Sequence, residues 1–243
     1  NRYTEAALSR TTALQARLFA EMKARLKEDD STVPTPDGPF EYASNYVKGG
    51  QYPELRRRPR GGADQTSMVL LDGNAEAQGK RYWQLGGSAH SHDHKMLAYS
   101  VDEKGSELYT IRIRDMETGR DLDDVIPDTR GSIVWANDGR TFFYVRLDQN
   151  HRPLFVYRHT VGTPAETDVL VYEEKDTGFY VGVTHTPSSK FILIDVHDHQ
   201  SNEIYLIDAD APTEAPRLVS ARVFGHEYGV EHHGERLIIL TNS

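Results

Sequence analysis

A unit of four short strands that returns every 45 to 50 residues predicts a mainly β fold: an incomplete β-propeller of about four and a half blades behind an N-terminal helical segment. Residues 85–91, 95–99, 108–113 and 122–125 alternate apolar and polar side chains, with turns at His92-Asp93-His94 and Thr118-Gly119. Half-buried strands between tight turns have this pattern. The unit then recurs. Its first strand falls on Leu85, Ile133, Val181 and Val230 at spacings of 48, 48 and 49, and its second on Lys95, Arg140, Lys190 and Arg236 at 45, 50 and 46. The third, on Leu108, Leu154 and Ile204, gives 46 and 50, and the fourth, on Leu122, Val169 and Leu218, gives 47 and 49. One small sheet cannot bury both its faces, so units of this kind stack on their neighbours as propeller blades do. A β-sandwich of evenly spaced hairpins is the alternative, but sandwiches rarely keep so long a period.

In chain order, residues 1–29 have no strand character. Leu14, Leu18, Met22 and Leu26 fall every four residues on one helical face, Ala7 and Leu8 extend it, and Pro34 and Pro36 are expected to end the helix. A helix of about 28 residues would be about 42 Å long, so a break near Ser9 to Thr12 is expected. From Phe40 the period becomes two. Phe40, Tyr42, Ser44 and Tyr46 share one side, Gly49-Gly50 turns the chain, and residues 52–58 return. Residues 68–71 add a third strand before an Asp72-Gly73-Asn74 turn, giving a first blade of three strands. Three four-strand blades follow, and Val230 with residues 237–240 begins a fifth. The domain division is therefore 1–36 for the helical segment and 37–243 for the incomplete propeller.

The 243 residues are 37% apolar and 27% charged, ordinary values for a soluble globular protein. No apolar run approaches a membrane span, so no membrane partner is expected. A formal charge of −9 argues against nucleic acid, whose phosphates call for a basic face. The absence of cysteine fits a reducing compartment and so a cytoplasmic protein. No signal peptide is visible, although the chain opens on Asn1 rather than Met.

Several phrases carry a resemblance. Phe40-Glu41-Tyr42, Gly50-Gln51-Tyr52-Pro53 and Arg57-Arg58 resemble the opening of the propeller in the oligopeptidase B branch of the prolyl oligopeptidase family of serine peptidases. So do Leu70-Leu71-Asp72-Gly73-Asn74, Leu97-Ala98-Tyr99-Ser100-Val101-Asp102 and Val171-Tyr172-Glu173-Glu174. Glu28-Asp29-Asp30-Ser31-Thr32-Val33-Pro34 is similar to the family's junction between helix and propeller. The resemblance implies a seven-bladed propeller capping an α/β-hydrolase domain of the same parent chain, which carries a Ser-Asp-His triad. It also implies substrates that are short peptides cut after Arg or Lys, with the propeller gating access. Seven blades of about 47 residues need about 330, and 204 residues run from Phe40 to the end. The chain is thus expected to stop inside its fifth blade, before the catalytic domain. An open ring of this kind is expected to self-associate or to have the rest of the parent beside it.

The chain's own chemistry is sparse. A nucleophile elbow needs Gly-x-Ser-x-Gly on a strand-to-helix turn. The nearest approach, Gly86-Gly87-Ser88-Ala89-His90, has His in place of the last Gly and leads into a strand, so Ser88 reads as an ordinary strand residue. No catalytic residue of the family can be carried over, no cofactor is expected, and the chain alone is expected to be inactive. Of eleven histidines, eight cluster as His90/His92/His94, His197/His199 and His226/His232/His233. Alternate histidines on a strand could ligate zinc or copper if a third ligand converged, but His92 and His94 occupy a turn, where solvated polar residues belong. The run Arg56-Arg57-Arg58-Pro59-Arg60 lacks the interleaved aromatics of a nucleic-acid patch. It reads as a solvated strand end that pairs with carboxylates on another domain. The alternative function is a free-standing propeller that binds other proteins without catalysis.

Overall fold

A computed structural model describes residues 2–242. The chain divides into two compact units, with the boundary between Gln78 and Gly79.

The first unit begins with helix α1 (Arg2–Leu8), a single 3-10 turn at Ser9–Thr11 and helix α2 (Thr12–Ala24). The break falls where the hydroxyl-rich stretch lies. Ser9 Oγ donates to the Ala6 carbonyl at 2.9 Å, Thr11 Oγ1 to that of Leu8 at 2.7 Å and Thr12 Oγ1 to that of Ser9 at 3.0 Å. Such bonds compete with the regular helical ladder. Neither helix buries a residue, and no helix among the described residues is long and apolar enough to cross a membrane.

The end of the helix corrects the sequence expectation. Helix α2 stops at Ala24, with Arg25 as its cap, so Leu26 lies beyond it and the prolines do not terminate it. The chain is instead drawn to a sheet edge. Strands β1 (Asp30–Ser31) and β2 (Thr35–Asp37) both pair with β3 (Phe40–Tyr46), and Pro36 sits inside β2. With β4 (Glu54–Pro59) and β5 (Met68–Asp72) the first sheet has five strands rather than three. The expected Asp72-Gly73-Asn74 turn is a one-turn helix, α3 (Gly73–Glu76), because the Asp72 carboxylate caps the amides of Asn74 and Ala75.

The second unit holds the repeat. Blade 2 comprises β6 (Gln84–His90), β7 (Met96–Asp102), β8 (Tyr109–Asp115) and the first half of β9 (Asp121–Trp135). Blade 3 takes the second half of β9, then β10 (Thr141–Leu147), β11 (Pro153–Thr160) and β12 (Val169–Glu173). Blade 4 is β13 (Tyr180–His185), β14 (Phe191–His197), β15 (Asn202–Asp208) and β16 (Arg217–Leu218), and β17 (Tyr228–His233) with β18 (Arg236–Thr241) opens a fifth. Every strand phase read from the repeat is occupied. The fourth strand of blade 2 and the first of blade 3, expected as separate pieces, form one 15-residue strand. Left-handed backbone at Asp128 (φ 58°) and Gly131 (φ 95°) lets β9 change partners from β8 to β10, so seven strands join in one sheet.

Stacking explains the unbroken apolar run Phe142-Phe143-Tyr144-Val145, all four of which are buried. Phe142 and Tyr144 pack with Ala98, Ile111, Ile113 and Ile126 of blade 2. Phe143 faces the other way, into a cluster with Val181, Ile192, Ile194 and Ile207 of blade 4. A strand between two neighbouring blades buries both faces, so period-two alternation gives way to continuous hydrophobicity.

Candidate functional site

The loops between the second and third strands of the blades are shaped by one residue type at one phase. Asp102 ends β7, and its carboxylate accepts the amides of Lys104, Gly105 and Glu107 at 2.8–2.9 Å. Burial pushes the Asp102 carboxyl up, but these amides and that of Ser106 outweigh it and leave its pKa below the usual carboxylate value. Asp148 holds the amides of Asn150 and Arg152 at 2.8 Å, and Asp198 holds those of Gln200 and Ser201 at 2.8 and 2.7 Å. These aspartates recur at spacings of 46 and 50. That is a signal of the loops that strand periodicity alone does not use.

The first two of these loops help to line a cleft of about 470 Å³. Glu107 and His151, each left-handed at φ 61° and 59°, come from the loops. Gln84, Arg130 and Tyr180 come from the first strands of blades 2, 3 and 4, and Tyr82 and Tyr109 complete an aromatic wall. Glycines place Tyr109. A Cβ on Gly86 would stand 2.4 Å from its ring, which excludes a side chain, and one on Gly131 would stand 3.1 Å away on a backbone at φ 95° that disfavours one. Arg130 Nη1 donates to the Val181 carbonyl at 3.4 Å, reaching from blade 3 to blade 4. Arg152 lies with its guanidinium 4.4 Å from the Tyr180 ring centre, a cation–π arrangement. The cleft therefore offers tyrosine faces, one cation and one carboxylate, which suit binding and orientation rather than nucleophilic attack.

The residues singled out from the sequence lie elsewhere. Ser88 sits in the middle of β6, opposite Tyr99 and exposed. The rings of His90 and His94 lie with centres 4.9 Å apart, tilted 31° to one another, where β6 turns into β7. His197 contacts Asp195 at 2.8 Å, His226 contacts Thr241 Oγ1 at 2.8 Å, and His232 contacts Ser188 Oγ at 2.8 Å. The three histidine groups thus go to separate partners, and among the described residues no group of three or more His, Asp or Glu is placed to hold a metal ion. Arg56, Arg57 and Arg58 lie in β4, half-buried rather than solvated, with local carboxylate partners, while Arg60 lies beyond the strand and is exposed. Arg56 pairs with Glu54 at 2.7 Å, Arg58 pairs with Glu41 at 2.7 Å and also with Asp64, and Arg57 lies over the Phe40 ring at 4.3 Å.

One group escapes sequence reasoning altogether. His159, outside every histidine cluster, is completely buried in β11 between Asp124 and Asp168. Its partners stand 35 and 9 residues away, and no local pattern marks them.

Residues 1–243 match the family described as prolyl oligopeptidase, N-terminal β-propeller domain. Dipeptidyl aminopeptidase BI of Pseudoxanthomonas mexicana is 36% identical over 260 residues, which cover 100% of this chain and 36% of that protein. Protease 2 of Moraxella lacunata is 34% identical over 248 residues, again covering 100% of this chain and 36% of the relative. The structure of oligopeptidase B from Leishmania major superposes with a TM-score of 0.93 at 28% identity, over 99% of this chain and 34% of that one. The chain thus spans about a third of the length of the relatives it matches.

Proposed function

This chain belongs to the prolyl oligopeptidase family, and from that membership we propose that it is the propeller portion of a longer cytoplasmic serine peptidase that cuts short peptides after Arg or Lys. The observation that carries the reading is the match of all 243 residues to the propeller domain, beside relatives nearly three times as long. Bond cleavage belongs to an α/β-hydrolase domain elsewhere in the parent chain. The propeller restricts which peptides reach that domain, and the cleft between Tyr109, Arg130 and Tyr180 supplies surface on which an extended peptide is oriented. A net charge of −9 raises the local concentration of cationic peptides, an effect that salt weakens. Segment 1–36 docks on the hydrolase domain. Its exposed Leu14, Leu18 and Met22 supply the apolar contact.

The test uses protein purified from its source. Its intact mass should exceed that of the 243-residue chain by several hundred residues, and it should cleave a short peptide amide after Arg in a manner blocked by a serine-directed inhibitor. The 243-residue chain alone should not turn the substrate over, because removing a catalytic triad forfeits most of the acceleration such sites supply. A source protein of this length alone, or inhibitor-sensitive turnover by the isolated chain, would overturn the reading.

A further inference from the structure

The His159 ring has no exposed surface, and its two carboxylate partners have side chains only 4% and 1% exposed. Nε2 lies 2.9 Å from Asp124 Oδ1 and Nδ1 lies 2.7 Å from Asp168 Oδ1. Each carboxylate is also engaged as an acceptor by a second group. Asp124 Oδ1 accepts the Gly162 amide at 2.6 Å, and Asp168 Oδ2 accepts the Tyr144 hydroxyl at 2.7 Å. Carboxylates held this way are acceptors on both sides, so both ring nitrogens must donate. A neutral imidazole has a single N–H, and only the imidazolium has two. Burial pushes the ring toward the neutral form, but hydrogen bonds to Asp168 and then Asp124 outweigh it and raise its pKa above the ordinary value.

The contact also joins two blades. Asp124 belongs to the blade 2 half of β9, whereas Gly162, His159, Asp168 and Tyr144 belong to blade 3. The seam between blades 3 and 4 has a counterpart with a different cation. Arg222 contacts Glu174 Oε2 at 3.0 Å and Glu203 at 3.9 Å, and its guanidinium lies 3.9 Å from the Phe179 ring centre. A guanidinium does not shed its proton in the accessible pH range, whereas an imidazolium does.

We propose that His159 is a buried imidazolium clasp between blades 2 and 3, and that release of its proton loosens this seam selectively while the Arg222 seam stays shut. The groups that face the ring are the two carboxylates, the Tyr144 hydroxyl acting through Asp168, and the Phe142 ring with its centre 5.0 Å away. For a folded-state pKa that is raised, the stabilisation is complete below the unfolded value of about 6.5 and is lost as pH rises through the folded value. The device therefore acts above the ordinary histidine value, as pH rises.

The test is histidine-selective NMR on the 243-residue chain, together with amide exchange followed by mass spectrometry from pH 6 to pH 10 and corrected for intrinsic rates. His159, assigned with the H159Q variant, should carry protons on both nitrogens at neutral pH. Protection of β11 and β12 should fall about tenfold per pH unit between 6.5 and the ring's folded value, while that of β15 and β16 holds. H159Q should show a weakened and pH-flat blade 2–blade 3 seam, and if that variant does not fold the wild-type profile decides alone. A ring with one protonated nitrogen at pH 7, or loss of protection at both seams together or at neither, overturns the proposal.

Discussion

Replacing Tyr228 with phenylalanine removes a single oxygen, and the structure says what that oxygen does. Strand β16 pairs only through Arg217 and Leu218, so it stops before it can serve the Ile204 amide of β15. The Tyr228 hydroxyl takes over. It accepts from Ile204 N at 2.9 Å and Ser220 N at 3.3 Å, and donates to the Ser220 carbonyl at 2.7 Å. The side chain is 6% exposed, so water does not replace the lost partner. In Tyr228→Phe the ring stays against Leu193, Ile204, Leu206 and Val230, and the apolar contacts survive. What remains is the buried Ile204 amide without its acceptor, at about 1–3 kcal/mol, while the amide and carbonyl of Ser220, an exposed residue, are open to solvent. We expect a loss of about 1–3 kcal/mol. Both tryptophans, Trp83 and Trp135, lie in the second unit, so their fluorescence in urea follows that unit alone. The midpoint should fall by about 1 M with an unchanged slope. A loss below about 0.5 kcal/mol, typical of surface changes, would mean that the hydroxyl is not what completes the short fourth strand.

Two further substitutions probe other parts of the reading. Gly86→Ala sets a methyl 2.4 Å from the Tyr109 ring and 2.8 Å from Ser100 Oγ, and should cost about 1–3 kcal/mol of unfolding free energy. Adding Tyr109→Ala should lower the cost of the glycine change to what the Ser100 contact leaves, and strict additivity of the two in urea titrations would remove Tyr109 as the reason for the glycine. The pair Leu18→Glu and Met22→Glu alters side chains 44% and 67% exposed, so each should shift the chain's stability by no more than about 0.5 kcal/mol. The same pair should weaken association with a separately expressed hydrolase domain, measured by calorimetry, and unchanged affinity would remove helix α2 from that interface.

The repeat was legible because strand formation is local. Alternating side chains, a basic residue opening each second strand and turns rich in Asp and Gly set the phase of every strand from Gln84 to Thr241, since each depends on residues within a few positions of itself. The helix break near Ser9 was legible for the same reason, as its hydroxyls reach carbonyls three residues back. Tertiary structure alone decided what hangs on distant partners. Helix α2 ends at Ala24 because the following chain pairs along β3, with Asp30 opposite Tyr46, and no helical signal contains that edge. Strand β9 runs through two blades because β8 and β10 take successive halves of it. Arg56 and Arg58 are neutralised within their own sheet because register sets Glu41 opposite Arg58. The buried ring of His159 meets two carboxylates because blade stacking brings Asp124 across a seam. Propensity and period fix what a segment becomes, but the energy of a buried charge or a captured edge depends on what folding places against it.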